Sequence, residues 1–293
     1  MNKVETWDFC APEYEILAQP VTGPCIVKLL EQVSILPVTT DTVQTIKVID
    51  VAAGPGILST LLGEAYSQAA LLEKVTILST DFSPNMVELA ERCFAFRNWP
   101  LSQFSARTLD AMNLVDIPSD HYTHAFCTFG IMMVPNASKA LSEMFRVLQP
   151  SGTIGITTWE KVGWMPIVTE CLARAKMSSN KEENPALPPS VLRNWSDTSY
   201  VRKMLEDAGF VNVQVNIFES RWSFVNHDEC VKQITEARWI TPFLKDANMT
   251  DEQRDKYNKV AYEVLLDMVN KKPNEAFDIP MIAIIAHGQK PMN

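Results

Sequence analysis

The chain has 293 residues, and its 46% hydrophobic content is enough to bury the core of one large domain spanning residues 1–293. Its formal net charge is −9, from 26 basic and 35 acidic side chains, so a nucleic acid is excluded as an expected partner. Its apolar runs are far shorter than the roughly 20 residues of a membrane-spanning helix, and its N-terminal segment lacks the apolar core of a signal peptide, so we expect a cytoplasmic protein without membrane contact.

The first half of the chain is predicted to alternate strands with helices after a helical, aromatic-bearing N-terminal cap at 1–40. Ser83 and Pro84 are the residue types of an N-cap and a first helical position, and Gly63 is a candidate break in its helix. This spacing indicates right-handed crossovers and a parallel sheet with helices on both faces. The predicted strands of this region, 41–160, are 45–51, 75–81, 103–110, 122–130 and 153–159, and its predicted helices are 57–74, 83–97 and 137–148.

The second half, 161–293, follows a different pattern. A helix is predicted at 198–210, ended by Gly209, and strands at 211–219 and 280–288 are predicted to form a closing hairpin. An insert at about 225–278 contains predicted helices at 228–240 and 250–270, with Thr250 as an N-cap. Because this insert is too long for a turn, we interpret it as a helical lid. The expected fold class is α/β, with a seven-stranded, mostly parallel sheet whose last strand is antiparallel.

A turn of small residues follows the first predicted strand, between Asp50 and Gly56. Such a turn places a ligand at the carboxyl ends of parallel strands, in front of a helix N-terminus, and nucleotides are its usual ligands. The dinucleotide fingerprint would require glycine at residues 54, 56 and 59, but residue 59 is serine, and Pro55 removes a backbone N–H from the loop. An NAD-linked oxidoreductase is therefore the least favoured function.

This turn resembles the first motif of the Rossmann-like (class I) S-adenosylmethionine-dependent methyltransferases, in which an acid precedes small residues and Gly-x-Gly. The motif reads "DVAAGPG" from Asp50 and departs from the family at Ala52, where glycine is more frequent. The stretches "STDFSPNM" and "TLDAMNL", at the ends of the next two predicted strands, and residues 142–159 resemble further motifs in the expected order. The resemblance covers about residues 45–160 and implies a Rossmann-like fold, with S-adenosyl-L-methionine as the cofactor and S-adenosyl-L-homocysteine as the product.

The resemblance also implies roles for individual residues. Asp81 would accept hydrogen bonds from the ribose hydroxyls, with Phe82 against the adenine, and Asp110 would accept a hydrogen bond from the adenine amino group. Tyr14 and Thr22 match an N-terminal segment that closes over the methionine carboxylate in similar enzymes. The implied cofactor-binding residues are Tyr14, Thr22, Asp50, Ala52, Ala53, Gly54, Gly56, Asp81, Phe82, Met86, Asp110, Ala111, Met112 and Phe129.

A closer resemblance lies in three other stretches: "DHYTHAFCTFG" at 120–130, "TG" at 22–23 and "MTDEQRDKY" at 249–257. Together they are similar to the fungal small-molecule methyltransferases of secondary metabolism, including the gliotoxin bis-thiomethyltransferase group, which methylates exposed thiols. This resemblance implies a fungal source and a small-molecule substrate, and it leaves the nucleophile open.

The chemistry of methyl transfer needs few catalytic side chains. Methyl transfer from a sulfonium is a direct displacement, so alignment of the reactants and exclusion of water contribute most, and a general base is optional. His121, His124 and His287 are predicted at the sheet end opposite the site. Glu160, after the fifth predicted strand, and His227, at the entry of the insert, are the weak candidates for a base. The six cysteines are widely spaced, and we expect no metal site.

A wall rich in tryptophan, phenylalanine and methionine is predicted to contact the substrate, which suits a small hydrophobic molecule. We predict an enzyme that methylates a thiol or a hydroxyl of a small secondary metabolite, and a monomer is compatible with the sequence. Two other functions stay open: a methyltransferase-like pericyclase or dehydratase that binds the cofactor without methyl transfer, and a scaffold protein that retains only the fold. The predicted substrate-contacting residues are Trp7, Phe9, Met133, Trp159, Trp164, Trp239 and Phe243.

Overall fold

The computed structural model describes residues 4–39, 41, 44–175, 194–235, 251–269 and 271–292. Within these residues, the strands are β1 (Ile46–Val51), β2 (Val75–Asp81), β3 (Phe104–Thr108), β4 (Tyr122–Thr128), β5 (Leu148–Val162), β6 (Val211–Phe224) and β7 (Phe277–Gln289). They form one sheet in the order β3-β2-β1-β4-β5-β7-β6. The pairs from β3 to β5 are parallel, and β7 is antiparallel to both of its neighbours. The predicted fold class is therefore confirmed.

Helices cover the sheet and extend beyond its end. In the described residues they are α1 (Val4–Gln32), α2 (Ile57–Gln68), α3 (Pro84–Phe96), α4 (Ala137–Val147), α5 (Trp164–Arg174), α6 (Thr198–Asp207), α7 (His227–Thr235) and α8 (Asp251–Met268). The start of α3 agrees with the prediction, because Pro84 is its first residue and the Ser83 hydroxyl accepts a hydrogen bond from the Met86 N–H at 3.2 Å. None of the helices in the described ranges is both long and apolar enough to cross a bilayer.

The buried side chains form cores on each side of the sheet. Apolar residues of α1, α2 and α3 pack on β1, β2 and β3. Residues of α4 and α6 pack on the other face, over β1, β4 and β5. A third core joins α5, α7 and α8 to β6 and β7. The central strands are buried on both faces, which explains their continuous apolar runs in the sequence.

Several boundaries differ from the prediction. β6 runs to Phe224 and β7 begins at Phe277 because the two strands pair without interruption from Gln214 opposite His287 to Phe224 opposite Phe277. The segment between them covers residues 225–276, close to the predicted bounds of about 225–278. The described parts of its helices are α7 and α8, while Thr250 and residues 236–249 lie outside the described residues.

The helix after β1 is also shorter than predicted, and it is not broken at Gly63. It ends at Gln68, and a separate 3₁₀ turn covers Leu72–Lys74. A Cβ atom on Gly63 would lie 2.5 Å from Trp99 Cη2 and 2.8 Å from Phe104 Cε1. Glycine is therefore present because two aromatic rings pack directly on the helix backbone, and not because the helix ends there.

Candidate active site

A cavity of about 480 Å³ opens where β1, β2, β3 and β4 end. The loops that follow these four strands form its walls, and α1 closes one side. Carboxyl ends of parallel strands are where ligands bind in open α/β sheets, and the volume is typical of a small-molecule site. The predicted cofactor-binding residues that line the cavity are Thr22, Ala52, Ala53, Gly54, Asp81, Phe82, Met86, Asp110, Ala111, Met112 and Phe129, and the predicted substrate-contacting residues that line it are Trp7 and Met133.

The loop after β1 presents backbone to the cavity. Gly54 has a φ of 55°, and a Cβ atom on it would meet nothing within 4 Å, so the glycine leaves open space beside the main chain. Ala52 also lies in the left-handed region, with a φ of 52°, where glycine is favoured. This conformation explains why glycine is more frequent there in the family that the motif resembles. The Ala52 methyl packs against Gly130, whose own Cβ would approach it to 2.7 Å.

Asp81 lies at the end of β2 and is only 6% exposed. Its Oδ2 accepts a hydrogen bond from the Gly54 N–H and its Oδ1 accepts one from the Ser83 N–H, each at 2.9 Å. Burial raises the pKa of Asp81, while these two N–H donors act in the opposite direction. Since a carboxylate oxygen can accept about two hydrogen bonds, each oxygen keeps one lone pair for a ligand. The carboxylate is therefore oriented by its own loop and faces the cavity ready for two neighbouring hydroxyls.

An acid of α1 contacts the same loop, and no local pattern in the sequence indicates this contact. Asp8 accepts a hydrogen bond from the Ser83 hydroxyl at 2.5 Å, and its backbone oxygen accepts one from the Asn85 side chain at 3.2 Å. These contacts join the first turns of α1 to the N-terminus of α3. Trp7, the neighbour of Asp8, thereby reaches the cavity wall.

The loops after β3 and β4 complete the cavity. The Asp110 carboxylate accepts a hydrogen bond from the Met112 N–H at 2.8 Å, which tightens the turn that brings both residues to the wall. Phe129 has a φ of 54°, and its N–H donates to the Thr157 hydroxyl at 3.0 Å. Its ring stacks on Trp159 with centroids 4.1 Å apart. Trp159 thus supports the wall from behind and does not line it.

Two predicted cofactor-binding residues lie behind the wall. Asp50 is fully buried within β1, and its Oδ2 accepts a hydrogen bond from the Ser59 hydroxyl at 2.9 Å. Gly56 has a φ of 80° at the start of α2, where a Cβ atom would lie 3.2 Å from Ala90 Cβ. Gly56 therefore serves the close packing of α2 on α3, and Asp50 does not line the cavity.

The structure does not bring the two candidate bases to the cavity. Glu160 is exposed, because β5 continues to Val162 along β7 and the irregular pairing between Trp159 and Lys161 turns Glu160 to solvent. His227 is fully buried in the core of the insert, where its ring centroid lies 5.0 Å from that of Phe277. Neither side chain lines the cavity, and both stay weak candidates for a base.

Of the predicted substrate wall, the described residues that line the cavity are Trp7 of α1 and Met133 after β4. Trp164 begins α5 and is buried in the core formed with α8, so it fills space between helices instead of lining the cavity. No described residue of the insert lines the cavity either, and the closing element is α1. The side chains of Tyr14 and Phe9, and the whole of Trp239 and Phe243, lie outside the described residues.

The chain is similar in sequence to known methyltransferases. Residues 49–156 match the family described as methyltransferase domain. The chain is 26% identical over 250 residues to methyltransferase tpcH of Aspergillus fumigatus, covering 83% of this chain and 84% of the relative. It is also 26% identical over 280 residues to acetylaranotin bis-thiomethyltransferase of Aspergillus terreus, covering 94% and 92%.

A solved structure shows the same fold at lower identity. The [4+2]-cyclase SpnF matches with a TM-score of 0.54 at 15% sequence identity. The match covers 92% of this chain and 82% of that protein. At this identity the likeness concerns the fold alone.

Proposed function

We propose that the protein transfers a methyl group from S-adenosylmethionine to a thiol or a hydroxyl of a small hydrophobic metabolite, since residues 49–156 match the methyltransferase-domain family. The observation that carries this proposal is the cavity at the ends of β1 to β4, which collects eleven of the predicted cofactor-binding residues. When bound, the cofactor supplies the activated methyl group, and the protein supplies binding, orientation and exclusion of water.

The residues present fit this cofactor. The two oxygens of Asp81 suit the paired hydroxyls of a ribose, and the space beside Gly54 admits a ligand close to the main chain. Phe82 and Met112 offer apolar surface to a planar base, and Asp110 offers an acceptor to an amino group. These features lie at the ends of three neighbouring strands, β1, β2 and β3, so one extended nucleoside would contact all of them.

We infer the class of methyl acceptor from the part of the cavity wall that is not assigned to the cofactor. Trp7, Ile26, Met133 and Val134 line it, and no lysine, arginine or histidine is among the described lining residues. Such a wall favours a neutral, apolar acceptor whose nucleophile needs little help to lose a proton, as for a thiol near neutral pH. The name of the A. terreus relative, a bis-thiomethyltransferase, supports sulfur as the first atom to test.

Methyl transfer is tested with cofactor labelled at the methyl group. The protein is incubated with this cofactor and a panel of aryl thiols, alkyl thiols and phenols, and the products are identified by mass spectrometry. We expect label on thiol or phenol acceptors, and we expect Glu160→Gln to keep turnover within about threefold, because a catalytic base would contribute about 10²–10⁴-fold.

Two outcomes would contradict this proposal. Tight cofactor binding without label on any acceptor would favour the pericyclase or dehydratase alternative. A loss of about a thousandfold in Glu160→Gln or His227→Gln, with cofactor affinity and folding intact, would show that a base acts and that catalysis by positioning is insufficient.

A further inference from the structure

Asp50 is a buried acid beneath the loop that lines the cavity. Its side chain has no solvent exposure, and Ala52, two residues later, is part of the cavity wall. Oδ2 accepts a hydrogen bond from Ser59, but Oδ1 has no hydrogen-bond partner in the described part of the chain. An ionised carboxylate is costly in such a place unless a positive charge compensates it.

Among the described residues, no cationic side chain is paired with Asp50. α2 contributes the Ser59 hydroxyl, which also lies 2.8 Å from the Ser79 hydroxyl of β2. β2 contributes the buried Asp81, and β4 contributes the buried Cys127 thiol, whose own pKa is raised by burial and by both acids. Among the described ion pairs, none involves either acid. Burial and, to a smaller extent, the charge of Asp81 raise the pKa of Asp50 to about 7, against the opposing hydrogen bond from Ser59.

Asp81 and Asp50 accept different hydrogen bonds from the protein. Asp81 accepts two backbone N–H bonds, one on each oxygen, which favour its ionised form. Asp50 accepts a single hydroxyl, and one of its oxygens accepts nothing. If one proton is shared by this pair of neighbouring acids, it therefore belongs on Asp50.

We propose that Asp50 is a charge-sensing residue of the cofactor site: it holds a proton while the cavity contains no cation and releases that proton when the positively charged S-adenosylmethionine binds. The Oδ–H bond breaks, and the proton passes to water and then to the buffer. The inference rests on the proposed function for the identity of the cation. It makes Asp50 a specificity-determining residue, because the demethylated product lacks the positive sulfonium that stabilises the ionised acid.

The direction of the pH dependence follows from this assignment. A positive ligand lowers the pKa of a nearby carboxyl group, so below about pH 7 binding must expel a proton. Affinity for S-adenosylmethionine then falls as pH falls, by about tenfold between about pH 8 and about pH 6. Affinity for S-adenosylhomocysteine should change less, so the preference for the cofactor over its product grows as pH rises.

Calorimetry in buffers of different ionisation enthalpy counts the protons released. For the wild-type protein we expect close to one proton per S-adenosylmethionine at about pH 6, about half at about pH 7, and fewer for S-adenosylhomocysteine. At about pH 6 the α-amino group of each ligand is protonated, so its titration contributes little to the comparison at that pH. Asp50→Asn keeps an acceptor for Ser59 and should abolish the difference between the ligands, whereas Asp116→Asn, which removes an exposed acid outside the cavity, should preserve it.

The outcomes separate this inference from the proposed function. Binding of S-adenosylmethionine with equal proton release for both ligands in the wild-type protein would overturn the role of Asp50 and leave the proposed function intact. Unchanged proton release in a folded Asp50→Asn protein would also overturn it, because the proton would then belong to another group. Absence of S-adenosylmethionine binding by the wild-type protein would overturn both proposals. The wild-type comparison needs no variant, so the test holds even if Asp50→Asn does not fold.

Discussion

Replacement of Asp81 by asparagine is expected to weaken S-adenosylmethionine binding by about 1–3 kcal/mol, which is about 5–150-fold in the dissociation constant. The substitution removes the charged acceptor that faces the cavity and leaves one carbonyl oxygen for two ligand hydroxyls. It also leaves the Gly54 or the Ser83 N–H with an amide nitrogen in place of an acceptor. Titration calorimetry measures the affinity, and thermal unfolding measures the separate effect on stability.

The matched control for Asp81→Asn is Asp116→Asn, which removes the same charge from an exposed loop outside the cavity. We expect it to bind the cofactor within about twofold of the wild-type protein, because exposed charges at a distance are screened. Equal affinity of the wild-type and Asp81→Asn proteins would remove Asp81 from the binding site.

Replacement of Gly63 by alanine is expected to destabilise the protein by about 1–3 kcal/mol, although glycine-to-alanine changes within helices usually stabilise. The new methyl would overlap Trp99 and Phe104, whose ring centroids are 4.5 Å apart and which pack against Phe94. These rings are buried, so none of them can move without disturbing the core between α2, α3 and β3. Denaturant unfolding measures the change in free energy of unfolding.

The matched control for Gly63→Ala is Gly23→Ala, a second buried helical glycine whose Cβ would meet only Gln19 Cγ at 3.9 Å. Because Pro24 follows and disfavours a Cβ on the preceding helical residue, the usual gain of about 0.5–1 kcal/mol should be reduced, and Gly23→Ala should remain within about 1 kcal/mol of the wild-type protein. If Gly63→Ala were as stable as Gly23→Ala, the aromatic packing against α2 would have to be looser than the structure describes.

Local patterns in the sequence were sufficient for the sheet and for most of the cofactor-side cavity. Strands that are buried on both faces appear as β-branched runs, and the acids and small residues at their ends are adjacent in the sequence to those runs. Asp81 and Gly54 could therefore be placed on one edge before their hydrogen bond was known. The N-cap at Ser83 could likewise be predicted from residues adjacent in the sequence.

The sequence-based expectations differ from the structure where contacts between residues far apart in the sequence determine a side chain's position. Glu160 was expected just after a strand, but pairing with β7 extends β5 through it and turns it to solvent. His227 begins a helix as expected, yet contacts with Phe277 and the Pro273 carbonyl, 3.2 Å from Nδ1, bury it in a separate core. The contact of Asp8 with Ser83 spans 75 residues and has no local signal.

A crystal structure with S-adenosylhomocysteine bound tests the central claim most directly. We predict the nucleoside in the cavity at the ends of β1 to β4, with its two ribose hydroxyl oxygens about 2.6–3.0 Å from the two carboxylate oxygens of Asp81 and its adenine beside Phe82 and Met112. A nucleoside bound elsewhere, with Asp81 contacting only the Gly54 and Ser83 N–H groups, would contradict the account.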